Sequence, residues 1–432
     1  MKQQYLTSNI EFPIPYMHDG IMFGCGGIGL WLWGSGRDLQ LTVGLGDLWD
    51  HRGGLHWTEK QNFKAIRAAL EKKDADALSA IFPPKEGEPA RPTLLPFGRI
   101  SMRLPAGWKL RQCSLDLQTG IPEVLAVCGT RTAVIRFAAS LAHGRNFGCT
   151  GLPAGTDVTL IPSWHLTRKM AERGIAAPAE YADTEQLYFC QPLPADPAAV
   201  LKICKKRSGF SAVCLRGMED GNAILAVPTP SFARLRTASV QWWRNYWSNV
   251  PELQMPEENL MKLYSGGLFR YGILTDPDGV APGLQGAWIE DDGLPPWEGD
   301  YHFNINVQMC ISPGFCAGKY HHLKPMFDLV LSWKDQLRRN AQYFAGVEGY
   351  MLPHAVDDRC TCMGNFWSGA VDHGCTAWMA HLMYRYCQYC NDKDFLRDEV
   401  EDFMLGTLRV FRAMMDREPD GTLSLPISVS PE

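Results

Sequence analysis

Gly24-Cys-Gly26-Gly-Ile28-Gly-Leu-Trp31-Leu-Trp33-Gly-Ser-Gly36-Arg-Asp-Leu39-Gln-Leu41-Thr-Val43 decides the fold class of the N-terminal half. Gly24, Gly26 and Gly29 satisfy the GxGxxG spacing of dinucleotide-binding turns. That chemistry needs a strand before the glycines and a helix after them. Here the glycines lead instead into the largely apolar run Ile28 to Trp33, and then into Gly34-Ser-Gly36 as a turn. Leu39, Leu41 and Val43 alternate beyond it with Gln40 and Thr42. Apolar residues at a period of two mark a half-buried strand. The glycines therefore belong to a hairpin, and no nucleotide cofactor is expected.

Similar short runs continue downstream. Phe97–Leu104, Leu110–Leu117, Glu123–Cys128, Ala133–Phe137 and Val158–Ile161 read as strands, as do Ala199–Ile203, Ser211–Leu215 and Ala223–Val227. Many short strands separated by turn residues, with little helix between them, indicate a large antiparallel sandwich. One helical insert is expected at Glu59–Ile81, which is rich in Ala, Lys, Glu and Asp. Ser231 then caps a connecting helix through Asn249 that carries Trp242, Trp243 and Trp247. Beyond Pro256 the apolar period becomes helical, over Glu257–Leu274, His322–Phe344, Asp372–Cys390 and Phe395–Asp416. These patterns describe an α+β multidomain chain: a β-sandwich over 1–230, a helical linker over 231–250 and a helical domain over 251–432.

The chain has 432 residues and a formal net charge of −5, which excludes the basic footprint that nucleic-acid binding requires. No run approaches the roughly 20 apolar residues of a membrane helix, and Met1 to Pro15 has no secretory leader pattern. A cytoplasmic protein with reduced thiols is expected. Its 14 Trp, 14 Tyr and 19 Phe offer many flat apolar faces, of the kind that stack on sugar rings. Cys387-Gln-Tyr-Cys390 and Cys360-Thr-Cys362 could together supply four thiolates to zinc. The first pair sits within an apolar helix, where buried Cys packs as a small hydrophobe. No metal is expected.

The chemistry concentrates in Gly283-Leu-Gln-Gly-Ala-Trp288-Ile-Glu290-Asp-Asp-Gly-Leu-Pro-Pro-Trp297-Glu-Gly-Asp300-Tyr-His302-Phe-Asn304-Ile-Asn306-Val-Gln308. It lies in one of two long loops, about 275–303 and 346–371, on the helical scaffold. Trp288 and Trp297 provide stacking surfaces, and Glu290, Asp300, His302, Asn304 and Asn306 provide hydrogen-bonding groups, the mixture a pocket for polyhydroxylated ligands needs. In extended chain His302, Asn304 and Asn306 would share one side; in a helical turn they would diverge.

This stretch resembles glycoside hydrolase family 95. The likeness rests on Gly283-Leu-Gln-Gly286, Trp288, Pro295-Pro-Trp297, Asp300-Tyr-His302 and Asn304-Ile-Asn306. It continues through Pro325-Met-Phe327-Asp, Asn391-Asp-Lys-Asp-Phe395-Leu and Ser430-Pro-Glu432, and reaches back to Asp47-Leu-Trp49 near the N-terminus. It implies an (α/α)6 barrel and an inverting hydrolase of α-L-fucosides or α-L-galactosides. Glu432 would be the general acid, and Asn304 and Asn306 would hold the attacking water with help from a carboxylate on a later helix. His302, Trp288, Trp297, Glu290, Asp300, Trp367 and His373 would bind the sugar. Two positions depart from the family pattern. Cys310-Ile-Ser-Pro-Gly-Phe315 replaces an Asn-Tyr-Trp-Pro-Ala-Glu-like run, and Ile289 stands where the family has Asn after the loop Trp. Twelve barrel helices do not fit after position 250, so the expected barrel is incomplete, the chain a fragment that is inactive alone. A non-catalytic carbohydrate-binding protein and a phosphorylase on a similar helical toroid are the alternatives.

Overall fold

The computed structural model describes residues 7–83, 89–142, 144–364, 370–372 and 374–428. These form two compact units. The first comprises the described residues of 1–50, 94–281 and 285–296; the second comprises those of 51–93, 282–284 and 297–432.

The first unit is built on two antiparallel sheets. The five-stranded sheet runs in space as Asp157–Pro162, Gly98–Arg103, Asp38–Leu45, Ile28–Ser35 and Ile21–Cys25. The nine-stranded sheet runs from Thr7–Glu11 through Lys109–Asp116, Ile121–Cys128, Arg131–Ser140 and Asn146–Thr150. It continues through Gly209–Arg216, Ala199–Lys206 and Gln186–Gln191 to Ala179–Ala182. Between the strands Ile21–Cys25 and Ile28–Ser35 the turn is Gly26-Gly27, both at positive φ (28° and 98°), the conformation tight hairpins favour. In the next hairpin Leu30 faces Val43 and Leu32 faces Leu41, and all four side chains are buried. Gly29 faces Gly44 in the same ladder. A Cβ on either would lie 2.3 or 2.1 Å from the Ala287 carbonyl oxygen, so this glycine pair is the seat on which the 285–296 segment crosses the sheet.

The hairpin reading of the glycines therefore holds, but other boundaries move. Ala223–Val227, expected as a strand, lies largely within a helix over Gly221–Ala226. The Asp220 carboxylate accepts the Ala223 amide at 2.7 Å and caps it. The division at 230 and 250 is also corrected. The helix Phe232–Ser248 does start from a Ser231 cap, but it is no linker, because Trp243 and Tyr246 are buried in the sandwich core. Trp243 stacks on Phe269 of the next helix, Glu258–Leu274, at 4.2 Å between centroids. Trp247 Nε1 donates to the Leu117 carbonyl at 2.6 Å. Both helices thus belong to the sandwich unit.

The second unit gathers the helices Lys324–Ser332, Lys334–Ala345, Gly374–Cys390 and Glu401–Met414. The expected single helix over His322–Phe344 is two, divided at Trp333. Chain order places the insert helices Phe63–Glu71 and Ala75–Ile81 in the sandwich. They belong here instead, because Trp57, Phe63 and Ile66 share a core with Phe344, Met351, Val410 and Met414. Cys362 and Cys387 are buried, and burial pushes both thiols up to about 11. Among the described residues no helix is long and apolar enough to cross a membrane.

Candidate active site

The long loop is divided between the two units. In the first, Trp288 is 5% exposed and packs into the sandwich core, which corrects its expected place as a sugar-stacking face. Its burial follows from the close approach of Ala287 to the Gly29–Gly44 pair. Glu290 is exposed and accepts from His18 Nδ1 at 3.2 Å. Asp291 is fully buried. It takes Arg99 Nε at 2.9 Å, Arg99 Nη2 at 2.5 Å and the Thr42 hydroxyl at 2.5 Å. A carboxylate gripped by a guanidinium fork anchors the loop to the sheet.

In the second unit the loop enters through Trp297 and Glu298, both in left-handed backbone with φ of 46° and 57°. For bulky residues that geometry is costly, of order 1–3 kcal/mol each, and persists only where surroundings enforce it. Arg91 pairs with the Glu298 carboxylate at 3.5 Å, and the Thr93 hydroxyl donates to the Glu298 carbonyl at 3.3 Å. The result presents Trp297 to solvent at 67% exposure, its ring 6.4 Å from that of His302.

A short strand, Tyr301–His302, comes next and pairs with Ala355–Val356, placing His302 opposite Ala355. Asp300 is 1% exposed and hydrogen-bonds His302 Nδ1 through Oδ1. Burial pushes the Asp300 carboxyl up to about 6, against the opposing pull of His302. The Phe303 amide donates to the His354 carbonyl at 2.7 Å, and the two histidine rings meet edge to face at 4.9 Å. Burial first, and His302 second, pull His354 down to about 4; the Asp372 carboxylate works in the other direction. Asp372 itself accepts the Gly374 amide at 2.8 Å at the start of the Gly374–Cys390 helix. The sequence does not point to His354 or Asp372. The pairing that brings His354 to His302 spans about 50 positions of chain and leaves no local signal, whereas Asp300 and His302 stand at the i, i+2 spacing of one strand face.

Asn304 and Asn306 do not share a side with His302, as they would in extended chain. The strand ends at His302, residues 303–305 turn, and Asn306 opens the helix Asn306–Ile311. Asn304 is half-buried and its side-chain oxygen accepts the Ile305 amide at 2.8 Å, while Asn306 is exposed. Gln308 is buried behind them, its Nε2 donating to the Phe303 carbonyl at 2.5 Å. Trp367, His373 and Glu432 lie outside the described residues.

The buried histidine gives a stability signature. The His354 pKa is lowered on folding from 6.5 to about 4, so between those values the unfolded chain binds the extra proton. Its contribution is therefore present above pH 6.5 and is lost as pH falls towards 4. Asp300 acts in the opposite sense, its contribution falling as pH rises from 3.8 to about 6. His354→Gln should remove the acid-side loss, narrowing the stability gap between pH 7 and pH 4.5 by roughly 1–3 kcal/mol. Urea melts of both proteins at the two pH values would check it; an unchanged gap would show that His354 is not buried neutral.

Residues 273–432 match the model of the glycosyl hydrolase family 95 catalytic domain. Alpha-L-fucosidase 2 of Arabidopsis thaliana is 27% identical over 177 residues, covering 38% of this chain and 20% of that protein. Probable alpha-fucosidase A of Aspergillus niger is 26% identical over 181 residues, 40% of this chain and 22% of that protein. The matched region spans about a fifth of the length of these curated relatives. A solved structure described as "Putative kojibiose phosphorylase from human microbiome" superposes with a TM-score of 0.53 at 13% identity. It covers 77% of this chain and 49% of that one. At that identity the likeness concerns the fold alone.

Proposed function

We propose, from the premise that this chain is a relative of glycoside hydrolase family 95, that the natural protein hydrolyses α-L-fucosides or α-L-galactosides with inversion. The observation that carries this reading is the match over residues 273–432, which takes in the Asp300–His302 pair and both asparagines. In this reading the helices of the second unit belong to an (α/α)6 barrel. Trp297 offers its exposed face to a sugar ring. His302, donating its Nδ1 proton to Asp300, keeps Nε2 for a sugar hydroxyl. Asp300 is thus a positioning residue. Asn304 and Asn306 hold the attacking water, a carboxylate from another barrel helix takes its proton, and Glu432 protonates the leaving oxygen. Acid and base stand roughly 6.5–9.5 Å apart in such a mechanism, leaving room for the water.

The test is hydrolysis of aryl α-L-fucoside and α-L-galactoside by the natural full-length protein, with the anomer first released followed by NMR. Initial β-anomer supports inversion; initial α-anomer would refute it. Turnover only with added phosphate would instead favour a phosphorylase. Asn306→Ala should lower kcat by about 10²-fold or more, because the attacking water loses a holding group. The melting temperature should hardly move, since Asn306 is exposed. A wild-type rate would remove Asn306 from the mechanism.

A second reading, carbohydrate binding without chemistry, draws on a cavity of about 430 Å³ within the first unit, lined by Trp242, Trp243, Arg145, Asp276 and Asp278. That volume lies within the range of small-ligand sites. Glycan binding lost on Trp242→Ala, with no turnover of any glycoside by the full-length protein, would favour it.

A further inference from the structure

We propose that His51, Asp357 and Asp358 form a binding site for a divalent transition-metal cation, independent of the reaction assigned above. One ligand atom from each of the three lies within 4.8 Å of the others. Such spacing lets a single ion reach one nitrogen and two oxygens after small side-chain adjustments. Asp357 is fully buried. Its Oδ1 already takes the Arg359 amide at 2.9 Å and the Thr361 amide at 2.7 Å, whereas Oδ2 is buried and meets no donor among the described residues. A buried carboxylate oxygen without a partner is costly, and a neighbouring carboxylate raises the cost further. His51 Nε2 stands 2.6 Å from Asp358 Oδ1, so in the absence of an ion a proton joins these two groups. A cation takes the place of that proton and gives the Asp357 Oδ2 atom a positive partner.

The donor set selects the ion. Ca²⁺ takes six to eight oxygen ligands, and an imidazole nitrogen is foreign to its sites. One imidazole with two carboxylates suits Mn²⁺ or Zn²⁺, with water completing the shell. The chain segments around the donors are held independently. Leu55 donates to the Cys362 carbonyl at 2.8 Å, and Trp333 Nε1 donates to the Asp358 carbonyl at 3.1 Å. The ion would tie the start of the 51–93 insert to the loop after Ala355–Val356. That short strand is the one registered against Tyr301–His302, so the same clip steadies the segment that carries His302.

Mn²⁺ is the probe of choice, because Zn²⁺ would also seek thiols among the 14 cysteines. The chain is stripped with EDTA and titrated with MnCl₂, following loss of the free-ion electron paramagnetic resonance signal and the thermal melt. The expected result is one Mn²⁺ per chain and a melting temperature raised by about 2 °C or more. His51→Gln and Asp357→Asn should each weaken binding at least about tenfold. Circular dichroism of the apo variants establishes that they are folded, and His51→Gln decides should Asp357→Asn unfold. Absence of stoichiometric Mn²⁺ binding to the wild-type chain, or undiminished binding by His51→Gln, would overturn the site. Binding of Ca²⁺ alone would overturn its assignment to a transition metal.

Discussion

On the reading proposed above, Glu432→Gln in the natural protein should slow hydrolysis of an alkyl α-L-fucoside by about 10²–10⁴-fold while sugar binding stays intact. An alkoxide leaves only if it is protonated as the glycosidic bond breaks, and an amide has no proton of suitable acidity to give. A fluoride or nitrophenolate leaving group needs little such help, so the loss should shrink sharply on activated substrates. That dependence on the leaving group separates a general acid from a residue that merely shapes the pocket. The position rests on Ser430-Pro-Glu432 in the sequence. Parallel kcat measurements on alkyl and nitrophenyl glycosides check it, and equal losses on both would assign Glu432 another role.

Asp291→Ala should destabilise the first unit by about 3–5 kcal/mol, the range expected when one member of a buried, hydrogen-bonded ion pair is removed. The variant leaves Arg99, whose side chain is 17% exposed, without its carboxylate, and leaves the Thr42 hydroxyl without its acceptor. The guanidinium also lies 4.7 Å over the Trp33 ring, so it cannot swing to water without giving up that contact. Asp38→Ala is the control. It breaks the Arg103 pair, in which both side chains are well exposed, and should cost about 1 kcal/mol or less. Urea denaturation of the three proteins, monitored by tryptophan fluorescence, distinguishes them. Equal midpoints for the two variants would mean that the loop is not anchored through Asp291.

Much of the sandwich is legible because a half-buried strand writes its period of two into the sequence, as Leu39, Leu41 and Val43 do. Gly221–Ala226 is not. Ala-Ile-Leu-Ala is apolar at every position and carries no period, and the deciding group, Asp220, lies just outside it. The Phe232–Ser248 helix is visible, but its allegiance is not, because only tertiary packing shows that Trp243 and Phe269 share a core. The place of the 51–93 insert is hidden for a similar reason: chain order does not record where a segment goes after it leaves a sheet. In the candidate site, the residue types are readable and their partners are not. Asp291 and Asp300 look alike in one acidic loop, yet one locks an arginine and the other holds a histidine. His354 acquires its place only through the Ala355–Val356 strand pairing.

The Arg99–Asp291 lock also has a consequence in time. The two residues are 192 positions apart. A ribosome adding about 5–20 residues per second leaves Arg99 waiting roughly 10–40 s for its partner to be made. Throughout that interval the nascent sandwich carries an arginine without its carboxylate, and the Gly29–Gly44 seat stays bare. Every strand of both sheets has by then been synthesised, whereas the unit also includes the segment ending at residue 296. The other unit's 51–93 insert, made long before, must in turn wait for the chain beyond residue 297 to supply its core. Each unit thus joins an early piece of the chain to a late one.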